Sequence, residues 1–159
     1  MNSIALKNTG FTLIELLIII TIIGTLAGIA APLYMSYLDK VKVTRAKVEI
    51  MSIEKEIISF KLENDSLPAD LSEIGLEGMT DPYGNPYKYQ PVTYIDSHGN
   101  VRRARNVRKD HNLVPVNTDF DLYSMGKDGE SVAPFTAKKS RDDIVRANDG
   151  QFIGLVSAY

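Results

Sequence analysis

The chain has 159 residues, 44% of them hydrophobic and 24% charged, with a formal net charge of -2, values that suit one ordinary domain with something added to it. It contains no cysteine, which excludes a disulfide framework and a thiol enzyme. A small extracytoplasmic domain here must be held by its core, its partners or a metal.

In the N-terminal stretch KNTGFTLIELLIII, residues 7–20, Glu15 stands at the head of an apolar run. From Leu16 to Leu38 there are 23 consecutive residues without a charged side chain. At 1.5 Å per residue they rise about 35 Å, enough to cross a hydrocarbon layer about 30 Å thick. Three readings compete: an ordinary transmembrane anchor, a secretory signal cut after its apolar stretch, and a segment cut before that stretch and kept. The run is too long for an ordinary signal peptide, and the best small-x-small site, Gly28 with Ala30, puts Pro32 at the second position after the cut. The positive-inside rule does not help, because Lys40, Lys42, Arg45 and Lys47 outnumber Lys7 and the terminal amine and would invert the topology. A carboxylate at the edge of the bilayer costs roughly 2.5 to 3.5 kcal/mol unless it finds a partner. For Glu15 that partner should be a cationic amine.

A polar leader with one lysine, then Gly10, Phe11, Thr12, Leu13, Ile14 and Glu15, then unbroken apolar sequence, resembles the class III signal of type IV pilins and type II secretion pseudopilins. The resemblance implies that a membrane-embedded prepilin peptidase cuts between Gly10 and Phe11, methylates the new amino terminus at Phe11, and leaves the apolar segment in place. It further implies that Glu15 of an incoming subunit neutralises the Phe11 amine of a neighbour. A glycine lets the scissile backbone approach catalytic groups closely. Thr12 can either hold the start of the helix or offer its hydroxyl to Glu15.

Gly24, Gly28 and the alanines at 27, 30 and 31 give the second half of the span a small-residue surface suited to close helix approach in lipid. Pro32 removes a helical hydrogen bond and is expected to kink or locally melt the helix between Gly28 and Pro32, the region that is melted in pilin filaments. Beyond Asp39 two apolar stripes follow the spacing of a helix. One holds Val41, Thr44, Val48, Met51, Ile58 and Leu62, the other Val43, Ala46, Ile50, Ile53, Ile57 and Phe60. A helix lying on one core needs only one stripe, so the second argues for burial against other subunits. A three-layer monomer is the alternative. The helix is expected from Phe11 to Asn64, ending at ENDSLP.

In the C-terminal half, Asp70 or Ser72 can cap a short helix with Glu73 in its first turn. Asp81–Pro82–Tyr83–Gly84 reads as a turn, and Tyr87, Tyr89, Val92, Tyr94 and Ile95 read as short strands in a hairpin closed at DSHGN, residues 96–100. FDLYSM, residues 120–125, reads as a further strand, giving a three- or four-stranded antiparallel sheet. VRRARNVRK, residues 101–109, concentrates five basic side chains in nine residues, and is expected as a solvated hairpin or loop rather than a nucleic-acid site. His98 and His111 lie in polar turns without a nucleophile or ligand spacing nearby, so catalysis has little support.

DPYGNPY, residues 81–87, and DLYSMGKDG, residues 121–129, resemble segments of the major, G-type pseudopilins. That subfamily ties its C-terminal loop with calcium, which implies Asp128, Asp142 and Asp143 as candidate ligands, helped by a carbonyl near Leu122 or Ser131. The loop ESVAPFTAKKSR departs from the family in lacking a glycine-rich stretch and in carrying several basic residues.

The expected architecture is α+β and pilin-like: a cleaved leader (1–10), a transmembrane and assembly half-helix (11–38), an amphipathic half-helix (39–64) and a periplasmic globular domain (65–159). The function implied is a structural subunit anchored once in a bacterial inner membrane, polymerising with itself into a pseudopilus. Its partners would be the prepilin peptidase, the inner-membrane assembly platform, minor pseudopilins and membrane lipid. Alternatives are a type IV pilus subunit, a minor pseudopilin, or a membrane-tethered periplasmic calcium-binding module.

Overall fold

A computed structural model of the chain describes residues 10–96 and 98–159; the leader expected ahead of Gly10 lies outside them. The helix predicted over 11–64 is present as α1, Leu13–Asn64, 52 residues long and continuous through Gly28 and Pro32. The described chain divides into two units, one ending at Asp39 and one comprising Lys40–Tyr159.

In the N-terminal unit every described apolar side chain from Phe11 to Tyr37 is exposed. By length and composition α1 has a stretch apolar enough to cross a membrane.

In the second unit, β1 (Lys88–Pro91), β4 (Phe120–Ser124), β5 (Ile144–Ala147) and β6 (Phe152–Leu155) form an antiparallel sheet in the order β1-β4-β5-β6. The strands β2 (Thr93–Ile95) and β3 (Val101–Arg103) pair separately as a hairpin. The hairpin is therefore not part of the main sheet. β1 ends at Pro91, which has no N–H to extend a ladder. The next residue, Val92, instead donates to the Asp119 carbonyl (2.8 Å) and accepts from the Ala104 N–H (2.9 Å).

The helix stripe of Ala46, Ile50, Ile53 and Ile57 is buried against Tyr87, Phe120, Leu122 and Ile144. Successive strand residues point to opposite faces. Thus Phe120, Leu122 and Ile144 face α1, while Val145 and Ala147 join Val116, Phe135 and Val156 in a second cluster, with Tyr123 and Phe152 packed on it.

Arg146 shares the α1 face with Ile144. Its guanidinium, 2% exposed, donates to Glu54 of α1 (2.6 Å) and to both carboxylate oxygens of Asp119 (2.8 Å each), and lies 4.1 Å from the Phe120 ring. Removing either partner of such a buried pair leaves an uncompensated charge and costs about 3 to 5 kcal/mol.

The short helix predicted after Leu67 is a 3-10 turn, Leu71–Ile74, capped by Asp70, whose carboxylate accepts from the Ser72 N–H (2.8 Å). The two segments that resemble G-type motifs are fastened together. Asp81 accepts from the Ser124 hydroxyl (2.5 Å), and the Asn85 side-chain amide donates to the Gly126 carbonyl (2.8 Å). Gly126 adopts a left-handed φ of 66°, and a Cβ there would collide with the Asp142 backbone carbonyl, so that position accepts only glycine.

Candidate functional site

The first turn of α1 is closed by Thr12 and Glu15. Thr12 N–H and Oγ1–H each donate to Glu15 Oε2 at 2.8 Å, and Glu15 N–H donates to Thr12 Oγ1 at 3.3 Å. Threonine before the helix and glutamate three residues on form a reciprocal capping box. Both uses foreseen for Thr12 coincide in this geometry: it caps the helix and presents a hydroxyl to Glu15. Gly10, Phe11, Thr12 and Glu15 are all exposed.

Further along α1, the two stripes have different fates. Ala46, Ile50, Ile53 and Ile57 are fully buried, whereas Val48 is 60% exposed and Met51 49% exposed, with Val41, Ile58 and Leu62 exposed beside them. The division follows from geometry, since one sheet covers one side of a helix. Five large apolar side chains are thereby left facing away from the core. They continue a helix whose upstream side chains are also uncovered.

The three candidate calcium ligands are placed near one another in sequence but turn to different partners. Asp142 Oδ2 accepts from the N–H groups of Lys127 (2.8 Å) and Asp128 (3.0 Å). Asp128 Oδ1 accepts from Glu130 N–H (2.8 Å). Asp143 is 0% exposed and bonds to Ser131 and to the guanidinium of Arg108. Among the described residues no group of three or more His, Cys, Asp or Glu side chains is placed to hold a metal ion. Calcium takes six to eight oxygens, drawn from carbonyls and water as well as carboxylates.

Arg108 and Arg146 are the residues that sequence reasoning missed. Arg108 sits inside the basic run expected to be solvated, and the run divides: Arg102 and Arg103 of β3 are exposed, while Arg108 is buried. The signal available was local, a single arginine beside an apolar residue in NVRKD and again in IVRA. A guanidinium in such a setting is buried only when paired. His98 and His111 are exposed, as expected.

Residues 6–31 match the family model described as the prokaryotic N-terminal methylation motif. The chain is 35% identical to the type II secretion system core protein G of Pseudomonas aeruginosa over 78% of its length and 87% of the relative's. It is 31% identical to the protein of that name from Pectobacterium carotovorum, covering 87% of this chain and 83% of the relative. For the Klebsiella pneumoniae protein the identity is 30%, over 87% and 93%. Comparison with solved structures gave no match. With an N-terminal methylation motif, a capped apolar helix and similarity along most of its length to these relatives, the chain belongs to the type II secretion system core protein G family, the major pseudopilins.

Proposed function

We propose that this protein is the structural subunit of a type II secretion pseudopilus, held in the inner membrane by α1 with its globular unit in the periplasm, and polymerising through α1 to drive protein export. Its role is mechanical, not catalytic. Prepilin peptidase would cut between Gly10 and Phe11 and methylate Phe11. Glu15, oriented by Thr12, would then meet the new Phe11 amine of a neighbouring subunit, while Gly28 and Pro32 would let the helix stretch during assembly. The assembly platform and minor pseudopilins follow as partners. The relatives bear the name of a secretion core protein, which favours the pseudopilus over an extended pilus.

The observation that carries this reading is the exposed second stripe of α1, Val41, Val48, Met51, Ile58 and Leu62. Apolar area returns about 25 cal/mol per Å² when removed from water, and a bundle of neighbouring helices would cover this face. Val48→Glu with Ile58→Glu should leave the globular unit folded, because neither side chain is in its core, and should abolish filaments seen by electron microscopy. Normal filaments from the doubly substituted protein would refute assembly through this stripe.

A further inference from the structure

Arg108 gathers three segments that the chain brings together only by folding. Its Nη1 donates to Ser131 Oγ (2.6 Å) and to the Val132 carbonyl (2.8 Å), its Nη2 donates to Asp143 Oδ2 (2.6 Å), and its backbone N–H donates to Asp121 Oδ2 (2.7 Å). Ser131 Oγ–H also donates to Asp143 Oδ2 (2.5 Å). The guanidinium carbon lies 4.3 Å from the centre of the Tyr123 ring and 5.0 Å from that of Phe135. The side chain is 2% exposed.

A carboxylate from one end of the 130–143 loop converging with a hydroxyl and a backbone carbonyl from the other supplies oxygen donors that suit a hard cation. Here a guanidinium sits among them, and its flat fork of N–H groups matches that donor set. A divalent ion at the same place would face Arg108 across a few ångströms of protein interior, where like charges repel strongly. Moving Arg108 aside would strip it of three acceptors in an apolar setting between two rings. Asp142 Oδ2 is engaged elsewhere, closing the Gly126–Asp128 turn. Among the described residues Asp143 Oδ1 and Arg108 Nε have no hydrogen-bond partner, so loss of either charge leaves the other uncompensated in the interior.

We infer that the Arg108 guanidinium, and not a bound calcium ion, is the cation that ties the loop of residues 130–143 to the sheet through Ser131, Val132 and Asp143, making the fold of this subunit independent of calcium. The backbone supports the same junction: Lys109 N–H donates to the Ala133 carbonyl (3.1 Å), and Phe135 N–H to the Lys109 carbonyl (2.9 Å).

The test is thermal unfolding of the full-length protein in detergent micelles, followed by near-ultraviolet circular dichroism of its tyrosines, with excess EGTA or with millimolar calcium chloride. The two midpoints should agree within about 1 °C, and Arg108→Met should lower the midpoint by about 5 °C or more. Adding Asp143→Leu to Arg108→Met should recover part of that loss, since it removes the stranded carboxylate. A wild-type midpoint that falls by several degrees on chelation would overturn the inference, as would an Arg108→Met midpoint equal to wild type. Should Arg108→Met fail to fold, the wild-type comparison of EGTA with calcium decides alone.

Discussion

Glu15 is a carboxylate at the head of an apolar helix, and the capping box shows how it is accommodated within the chain itself. Two Thr12 donors reach Oε2 at 2.8 Å, yet hydrogen bonds leave the net charge in place, and a charge at the bilayer edge still seeks an opposite one. A cut after Gly10 would create that opposite charge at Phe11. Mass spectrometry of the membrane-extracted protein should therefore show a chain beginning with N-methyl-Phe11, and an intact Met1 start in cells that carry the peptidase would exclude processing. A second residue-scale clasp governs the turn between β5 and β6. Asp149, in a left-handed conformation with φ of 54°, accepts from Thr118 N–H (2.7 Å) and Oγ1–H (2.8 Å). Burial raises its carboxyl, but the Thr118 donors outweigh burial and hold it below the usual range. Because the folded value lies below the unfolded one of about 3.9, its contribution is present above about pH 4 and is lost as pH falls further. Asp149→Asn, which tolerates the left-handed backbone, should lower the melting midpoint at pH 7 and flatten the acid limb of the stability curve. An unchanged acid limb would show that Asp149 does not contribute there.

At the scale of elements, α1 carries two apolar stripes with opposite duties, and paired truncations separate them. Ile53 is 1% exposed in the core, whereas Met51 is 49% exposed. Ile53→Ala should cost about 2 to 5 kcal/mol in denaturant unfolding of the detergent-solubilised protein. Met51→Ala should change that stability by less than about 0.5 kcal/mol while weakening filaments. Equal losses at the two positions would mean that both stripes are covered within one chain, as in a three-layer monomer. The sheet depends on β4, which pairs β1 on one side and β5 on the other. Its alternation sends Phe120 and Leu122 to α1, and Asp121 to Arg108.

Across the whole molecule, what could be read in advance was what repeats locally. An unbroken apolar run followed by stripes at 3-4 spacing announces a helix, so α1 was legible to within two residues at its start, and Asp70, the 96–100 turn and Phe120–Ser124 announced themselves by capping or alternation. What escaped was decided by distant partners. The run IVRA of β5 is buried at all four positions, so it lacks alternation, and its arginine argues for a loop until Glu54 and Asp119 are seen around it. Arg108 was hidden for the same reason, in a run whose other arginines are on the surface, and its acceptors lie 13 to 35 residues away. The Thr12–Glu15 pair at the start of α1 was legible as well, because helix capping is local in sequence.

Copies of this protein are proposed to meet along the exposed stripe of α1, and a photo-crosslinking amino acid placed at Met51 in the full-length protein would capture that contact. Irradiation of cells making the secretion machinery should give a ladder of covalent multimers of this chain, lost when Glu15→Ala is added. Only monomers after irradiation would contradict it, and a ladder unaffected by Glu15→Ala would remove Glu15 from assembly.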